Sequence, residues 1–436
     1  METVSGFSKL SKDQKIDWLK NQISCGDEEL NAIKSFWHKD NEVQDKLDDF
    51  SENTVGNFIL PFGLAPNFII NEKVYTIPMV TEESSVVAAA SKSAKFWATR
   101  GGFKAKVIST TKSGQVHFKF KGSFEKLKTF FSLKKSSLLT HTEKITANMD
   151  KRGGGIKNIE LVDKSDQLEN YYQLDVKFET CDAMGANFIN SVLENLGQNL
   201  KLEADEYSNF TRIEKDIDVI MCILSNYTPE CIVRVHVECP IQDLGSHWEL
   251  SALEFANKFH DAIQISKVDT SRAVTHNKGI FNGIDSVVIA TGNDFRATSA
   301  CGHAYAAKDG VYRGLTSCTL DDDIFKFEMT LPLAIGTVGG LTSLHPMSKI
   351  SMKILGNPCA KDLMSIIATA GLAQNYGAIS SLVTTGIQKG HMKMHLLNIL
   401  NQLNADIKVK EKAILYFSDK VISHASVREF LERQYH

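Results

Sequence analysis

The order of strands and helices between residues 109 and 219 limits the possible folds of this chain more than any other feature. Apolar and polar side chains alternate in residues 116–120 and 172–179, which is typical of half-buried strands. The full series of predicted elements is strand 116–120, helix 124–133, strand 156–162, strand 172–178, helix 186–200 and strand 218–224. This β-α-β-β-α-β order is the ferredoxin-like arrangement. We therefore predict that residues 109–219 form one compact insertion within a larger domain.

The pattern of the remaining residues predicts an α+β protein, in which a large, helix-rich domain contains the insertion. The predicted elements are a helix opened by a capping box at Ser11–Gln14, loops at 52–56 and 60–67, a strand at 74–79, a helix at 83–96, mainly helices after residue 245, amphipathic helix from Ala378 onward, and a last helix opened by a capping box at Ser426–Glu429.

Composition excludes several classes of protein. The chain has 436 residues, 43% of them hydrophobic, and a net charge of −3 without a long basic run, so we expect no nucleic-acid partner. The eight cysteines form no CxxC pair, which favours a reducing cytoplasm. We find no signal peptide and no apolar run of about 20 residues, so we expect no membrane partner.

Lys278 and Asp294 lie in two short segments of small and polar residues, 275–279 and 291–294. We predict a loop at the first segment and a buried strand at 284–290, which would bring the ammonium and the carboxylate to neighbouring loops. A lysine in such a position can stabilise negative charge that develops on a reacting carbonyl oxygen. A structural ion pair is the alternative interpretation.

Glu83 lies at the start of a predicted helix, where a carboxylate either interacts favourably with the helix dipole or, in an apolar pocket, delivers a proton. His391 and His395 are four residues apart and so share a helix face. The segment lacks the HExxH pattern, so we expect no metal, and either two surface histidines or acid catalysis by His391.

Residues 182–187 open the second helix of the insertion with small residues and Gly185. Free backbone amides at such a helix start attract phosphate groups. The alternative is an ordinary helix cap by Asp182. Because the chain has no GxGxxG motif, a Rossmann-type site is not supported.

Together these segments resemble one enzyme family, hydroxymethylglutaryl-CoA reductase, and within it the bacterial class II enzymes without a membrane anchor. The resemblance runs from about residue 10 to the C-terminus. It is carried by the blocks ENTVG (52–56), EESSVVAAAS (82–91), RGGG (152–155), DAMGAN (182–187), ILSN (223–226), RAVTHNKGIFNGID (272–285), ATGND (290–294), GLAQN (371–375) and GIQKGHM (386–392).

The resemblance implies an activity and a domain arrangement. The activity is the four-electron reduction of (S)-3-hydroxy-3-methylglutaryl-CoA to (R)-mevalonate and CoA with two NAD(P)H, through mevaldyl-CoA and mevaldehyde. The implied units are a large substrate-binding and dimerisation domain (1–108 and 220–377), an inserted cofactor domain (109–219) and a C-terminal helical flap (378–436) that carries His391 and closes over the site. A homodimer or higher oligomer with its sites at the interface is also implied.

The same resemblance assigns roles to individual residues. Lys278 would stabilise the oxyanion, Glu83 would protonate the carbonyl oxygen, Asp294 would hold Lys278, and His391 would protonate the CoA thiolate. The implied substrate-binding residues are Ser85, Arg272, Asn282, Gln374 and His395, with Arg272 on the free carboxylate. The implied cofactor-binding residues are Thr146, Asp182, Met184, Gly185, Asn187 and Asn226.

Thr146 bears on the choice of cofactor. NAD-preferring relatives carry an aspartate seven residues before the glycine triplet, and Thr146 occupies that position here. An acidic residue repels a ribose 2′-phosphate, so its absence, with Lys144, Lys151 and Arg152 nearby, favours NADPH over NADH. Two alternatives stay open, namely NAD-dependent oxidation of mevalonate on the same fold and a non-catalytic CoA-binding homologue.

Overall fold

A computed structural model describes residues 3–22, 26–386, 396–417 and 420–435. The chain begins with a short 3-10 turn at Phe7–Lys9 and three helices, α1 (Lys12–Gln22), α2 (Asp27–Ser35) and α3 (Asn41–Asp48). The predicted capping box at Ser11 is confirmed. The Ser11 amide donates to Gln14 Oε1 at 2.8 Å and the Gln14 amide donates to Ser11 Oγ at 3.2 Å.

The next segment is an antiparallel hairpin of β1 (Phe62–Ile70) and β2 (Lys73–Val80). The prediction of a loop at 60–67 is wrong over most of its length, because β1 begins at Phe62. A register shift between Ala65 and Phe68 interrupts the strict alternation that marks a strand in a sequence. Both of these side chains are fully buried. The hairpin packs against α4 (Val86–Ala98), a helix that the sequence predicted, and β3 (Lys104–Val107) follows.

The inserted unit shows the predicted element order. Its elements are β4 (Lys112–Lys119), α5 (Phe124–Asp150), β5 (Gly155–Asp163), β6 (Tyr171–Glu179), α6 (Ala186–Glu206), the single-turn α7 (Arg212–Lys215) and β7 (Asp218–Leu224). The four strands form one antiparallel sheet in the order β5-β6-β4-β7. Their inward side chains and those of α5 and α6 form a hydrophobic core of their own. The last strand runs to Leu224, five residues past the predicted boundary at 219.

A second antiparallel sheet, in the order β3-β8-β10-β9, supports the large part of the molecule. Its elements and the helices around it are β8 (Ile232–Pro240), a 3-10 turn (Ile241–Leu244), α8 (Ala252–Val268), α9 (Thr270–Ala290), α10 (Phe295–Ala306), β9 (Thr316–Asp321), β10 (Ile324–Pro332), α11 (Gly340–Leu344), α12 (Pro346–Ile354) and α13 (Ala360–Val383). The core of this part joins the sheet to α4, α8, α9 and α13.

The segment 270–290 is one continuous helix, so the predicted loop at 275–279 and strand at 284–290 are both wrong. The β-branched run near its end favours a strand locally. Packing decides otherwise, because Ile280, Ile284 and Val287 recur at helical spacing and are fully buried, and the helix packs along α13. Asp269 caps the start of this helix through its side chain.

The C-terminal part has a small core of its own. Residues 396–402 are helical, and α14 (Ile407–Tyr416) and α15 (His424–Tyr435) follow. The last helix begins before the predicted Ser426, because Ser423 makes the cap and exchanges hydrogen bonds with Ser426. The boundary predicted at Ala378 falls inside the continuous helix α13. In the described ranges no helix is both long and apolar enough to cross a bilayer.

Candidate active site

Lys278 and Glu83 form the central contact of the site. Lys278 lies in the middle of α9, and Glu83 lies in the turn between β2 and α4, where its amide donates to Thr81 Oγ1 at 3.1 Å. The Lys278 ammonium donates to Glu83 Oε2 at 2.5 Å across 195 residues of sequence. The lysine side chain is 60% exposed and the glutamate 36%, so a substrate can reach both. A cation and a carboxylate thus share one accessible surface.

Two further predicted substrate residues lie on the same helix. Asn282 follows Lys278 by one helical turn and is half-buried on the same face. Arg272 lies in the first turn of α9, and its own half-burial lowers the pKa of the guanidinium, which nevertheless stays charged. Burial of a guanidinium favours an anionic partner for it.

Ser85 is placed beside Glu83 by an unusual backbone conformation. It is the cap residue of α4 with φ 75° and ψ −17°, in the left-handed region that non-glycine residues seldom adopt. Its hydroxyl makes no capping hydrogen bond, and the residue is exposed. Strain of this kind collects at binding sites because the surrounding structure holds it in place. The Ser85 hydroxyl is thereby left available beside the Glu83–Lys278 pair.

Gln374 lies beneath α9 rather than at an open surface. It is 6% exposed in α13, where its Cβ faces the glycine at position 283 of α9. Its Oε1 atom is buried without a hydrogen-bond partner in the part of the chain that the structure describes. A buried acceptor without a donor is unfavourable by about 1–3 kcal/mol unless a ligand satisfies it.

Asp294 does not pair with Lys278 in the single chain. It caps α10, where its Oδ1 accepts from the Ala297 amide at 3.1 Å and lies 3.5 Å from Arg296 Nε. Among the residues described, no ion pair joins it to Lys278. The predicted acid His391 and the predicted substrate contact His395 lie outside the described residues.

The predicted cofactor residues form a turn at the start of α6. Gly185 is its cap residue, with φ 93°, and a Cβ there would lie 2.5 Å from Thr180 Cγ2, so the turn requires glycine. With no side chain capping the helix, the first-turn amides stay open to a ligand, and Asn187 is exposed beside them. A long helix with an open N-terminus of this kind suits a phosphate group.

The Asp182 side chain contradicts the alternative interpretation of an ordinary α6 cap. Its Oδ1 accepts from the Ala360 amide at 2.7 Å, so it caps α13 from the inserted unit and does not cap α6. The same turn is bound at two further points: Thr337 donates its amide to the Asp182 carbonyl at 2.8 Å, and Ala183 forms a parallel bridge with Val338.

Met184 and Asn226 line a small pocket between the inserted unit and the large part. The other lining residues are Lys112, Ile189, Leu224, Ser225, Thr228, Ala297, Thr298, Cys301 and Ala334. Sequence analysis did not identify Lys112, a lysine at the start of β4. Its ammonium is buried and donates to Thr180 Oγ1 at 2.6 Å and to the Ala183 carbonyl at 2.9 Å, and burial lowers its pKa.

Thr146, a predicted cofactor residue, is buried in the inserted unit. It is 4% exposed and belongs to the face of α5 that packs into the core of the inserted unit. Its hydroxyl lies near the Glu143 carbonyl of the preceding turn. The side chain is therefore largely shielded from solvent in the single chain.

The sequence also gave no role to His276. Its Nε2 lies 2.6 Å from Thr316 Oγ1, which in turn donates to Asn375 Oδ1 at 3.2 Å, so a buried polar chain ties α9 to β9 and α13. Burial lowers the pKa of His276 to about 3, so the imidazole is neutral at physiological pH. This chain fixes the segment that carries Lys278.

Comparison with known proteins decides the family. A model of hydroxymethylglutaryl-coenzyme A reductase matches residues 11–396. The chain belongs to this family. It is 33% identical over 436 residues to 3-hydroxy-3-methylglutaryl-coenzyme A reductase of Archaeoglobus fulgidus, covering 99% of this chain and 94% of that protein. It is 32% identical over 413 residues to a probable 3-hydroxy-3-methylglutaryl-coenzyme A reductase of Borreliella burgdorferi, covering 94% and 91%.

Solved structures of the reductase family agree with the fold. A class II enzyme of Streptococcus pneumoniae, described as bound to NADPH in open conformations, is 36% identical with a TM-score of 0.71 and covers 88% of this chain and 100% of that one. A second structure from the same organism is 35% identical, with a TM-score of 0.72, over 99% and 100%. The mixed α and β architecture predicted from the sequence is thus that of class II reductases.

Proposed function

We propose that this chain reduces (S)-3-hydroxy-3-methylglutaryl-CoA to (R)-mevalonate and CoA, with NADPH as hydride donor. The observation that carries the proposal is the 2.5 Å contact between Lys278 Nζ and Glu83 Oε2 in a member of the reductase family. The NADPH-bound relative from Streptococcus pneumoniae supports the choice of cofactor.

The Lys278–Glu83 pair serves the reacting carbonyl of the thioester. When hydride adds to the acyl carbon, negative charge develops on its oxygen, and the Lys278 ammonium stabilises that charge. Glu83, in contact with the same ammonium, is placed to transfer a proton to the same oxygen. Two reductions use the same pair, because thioester and aldehyde present the same polarised oxygen.

Arg272 and Ser85 suit the remote carboxylate of the substrate. The half-buried guanidinium gains from an anionic partner, and its planar donors match a carboxylate. The free Ser85 hydroxyl adds a second donor. Gln374 suits the substrate hydroxyl, because its unsatisfied Oε1 lacks a donor. Asn282, one helical turn beyond Lys278, adds a polar side chain on the same face of α9.

Three assignments rest on the family resemblance alone. We assign His391 as the acid that protonates the leaving CoA thiolate, with His395 as a CoA contact. We assign Asp294 as the carboxylate that holds Lys278 in the complete site, although in the single chain it caps α10. The site of a homodimer would be completed by the second copy.

The turn at the start of α6 fits the diphosphate of NADPH. Its open amides and the positive end of the helix dipole favour phosphate oxygens. Cys181 donates through Sγ to the Arg152 carbonyl at 3.3 Å, so the glycine-rich turn and its exposed cations Lys151 and Arg152 adjoin it. We propose that Met184, Gly185, Asn187 and Asn226 line the cofactor, which supplies the hydride.

The test is a steady-state assay of nicotinamide oxidation with the acyl-CoA substrate, run in parallel with NADPH and NADH. We expect two NADPH oxidised for each CoA released, a homodimer or larger assembly by light scattering, and a kcat about 10²–10³-fold lower in Lys278→Ala. Lys258→Ala, which removes an exposed lysine of the adjacent helix α8, is the matched control. Equal activity in the Lys278 and Lys258 variants would contradict the proposal.

A further inference from the structure

We propose that Lys112 is a positioning residue that holds the cofactor turn, residues 180–187, in the shape that receives NADPH. This inference rests on the function proposed above and adds a residue to the same cofactor site. Lys112 begins β4, and its side chain is buried beneath the turn. The turn acts through its own shape, whichever copy of the chain carries the substrate.

The Lys112 ammonium contacts the cofactor turn at two points. Its Nζ donates to Thr180 Oγ1 at 2.6 Å and to the Ala183 carbonyl at 2.9 Å, across 68 and 71 residues of sequence. The Thr180 hydroxyl donates to the same Ala183 carbonyl at 2.6 Å. Three polar groups are therefore joined pairwise, and together they fix the first residue of the turn relative to the fourth.

The backbone between these two points is in an unfavourable conformation. Cys181 has φ 51°, in the left-handed region that residues other than glycine seldom adopt. Such a conformation persists only where the surrounding contacts hold it in place. The contacts of Lys112 with Thr180 and Ala183 lie on either side of Cys181. They therefore oppose relaxation of the turn to a more favourable backbone.

Thr180 connects Lys112 to the start of α6. Thr180 is fully buried, and its Cγ2 lies so close to Gly185 that a Cβ there would be only 2.5 Å away. Gly185 is the cap residue of α6, and the first amides of that helix have no acceptor within the helix. These amides are the groups that we propose for the cofactor diphosphate. A shift of Thr180 would therefore redirect them.

Burial of Lys112 is unfavourable for the folded chain. Both acceptors of its ammonium are neutral, and among the described residues no carboxylate lies within ion-pair distance of it. Burial lowers the pKa of this ammonium, and the shift is only partly offset by Cys231, Glu179, Cys181 and Asp182. A lysine whose pKa is lowered by folding decreases the free energy of unfolding at neutral pH. A role at the turn accounts for this lysine better than a contribution to stability does.

The chain allows variants that separate these two roles. Lys112→Met removes the ammonium and keeps an unbranched side chain of similar length. The Ala183 carbonyl then still accepts from the Thr180 hydroxyl, so this buried acceptor keeps a donor. Thr180→Ala removes the hydroxyl, and Thr180→Ser keeps it. Lys119→Met, which removes the exposed lysine at the other end of β4, is the matched control.

The experiment is a fluorescence titration of the full chain with NADPH, run beside steady-state kinetics. We expect Lys112→Met to raise both the Kd and the KM for NADPH about tenfold, the factor of one hydrogen bond from a charged group. The KM of the acyl-CoA substrate should stay near the parental value. Thr180→Ala should also weaken NADPH binding, Thr180→Ser should bind it nearly as the parent does, and Lys119→Met should match the parent. The double variant of Lys112→Met and Thr180→Ala should lose less affinity than the product of the two single losses.

Stability and hydrogen exchange distinguish positioning from other roles. The guanidinium midpoint of Lys112→Met should not fall, because a buried charge has been removed. In the cofactor-free variant, the backbone amides at 183–189 should exchange faster than in the parent and in Lys119→Met.

Three results would overturn the positioning role of Lys112. A lower midpoint with unchanged affinity for NADPH would make Lys112 a residue of the fold alone. Weaker NADPH binding with unchanged exchange would make it a direct cofactor ligand. Losses that multiply in the double variant would show that Lys112 and Thr180 act separately. If the parent neither binds NADPH nor reduces the acyl-CoA, the proposed function is refuted, whereas faster exchange in Lys112→Met would still confirm that Lys112 holds the turn.

Discussion

The crossing of α9 and α13 at Gly283 gives a quantitative test of how the site is held. A Cβ added at this glycine would lie 2.5 Å from the Ala370 carbonyl oxygen and 2.8 Å from Gln374 Cβ. Both neighbours are fixed to the backbone of α13, so neither can rotate out of the way. Gly283→Ala must therefore separate the two helices.

The magnitude follows from the size of the overlap. Non-bonded heavy atoms are most stable at about 3.5–4.0 Å, so the helices must move apart by about 1 Å at this point. Overpacking of this kind lowers the free energy of unfolding by about 1–3 kcal/mol. The higher helix propensity of alanine stabilises the helix by about 1 kcal/mol. Because the obstacle is a backbone carbonyl, we expect an overpacking cost at the upper end of this range. The free energy of unfolding should then fall by about 2 kcal/mol in total.

Gly279 supplies the matched control in the same helix. It lies one turn earlier, and a Cβ there would meet nothing within 4 Å. Gly279→Ala should therefore gain the helix propensity alone and raise the free energy of unfolding by about 1 kcal/mol. The two variants are expected to differ by about 3 kcal/mol although both make the same change of residue.

The assay is guanidinium denaturation of the cofactor-free protein, followed by steady-state kinetics. Displacement of α9 by about 1 Å moves Lys278 from Glu83, and a shift of this size near reacting groups lowers kcat by about 10²-fold. Equal stabilisation by both alanines, or full activity in Gly283→Ala, would refute the reasoning that close helix contact positions Lys278.

Two further predictions concern buried polar positions. Burial raises the pKa of Asp285 to about 6, above the value of about 3.9 in an unfolded chain, so its contribution to stability is complete at low pH and is lost as the pH rises through about 6. Because Asp285 is partly exposed, we expect less than the full effect of this pKa shift. Asp285→Asn should raise the free energy of unfolding by about 1–2 kcal/mol near pH 8 and leave it unchanged near pH 4. Denaturation curves at the two pH values test this, and an equal gain at both would contradict it. Thr146→Asp, which places an unpaired carboxylate in the core of the inserted unit, should lower the unfolding midpoint by several degrees without creating a preference for NADH, whereas Thr146→Val should do neither. A switch to NADH in a fully stable Thr146→Asp variant would show instead that this side chain reaches the cofactor.

The element order of the inserted unit could be predicted because its strands alternate with period two and its helices repeat near every 3.6 residues. Residues 172–178 and 186–200 show these periods without interruption, and β6 and α6 form there. Prediction failed where the local pattern was interrupted or misleading. The register shift in β1 hid a strand, and the β-branched residues near the end of α9 imitated one.

For the candidate site, the sequence predicted which residues take part but not how they contact one another. The family motifs identified the residues, because the chain carries the family's functional groups in the family's order and spacing. The contacts between these residues could not be predicted from the motifs. The Lys278–Glu83 contact joins positions 195 residues apart, and the Asp182–Ala360 contact joins positions 178 residues apart. Burial of Thr146 was equally invisible, because a threonine is compatible with either face of a helix.

The sequence by itself therefore determined the family, the mixed α and β architecture and the chemical groups available for catalysis. These depend on residue type and on short-range periodicity. Only the tertiary structure decided that α9 is continuous, that Asp182 caps α13 and that Thr146 is inside the core. Each of these outcomes depends on packing between segments distant in sequence, where the burial of apolar surface and the pairing of buried polar groups outweigh local preference.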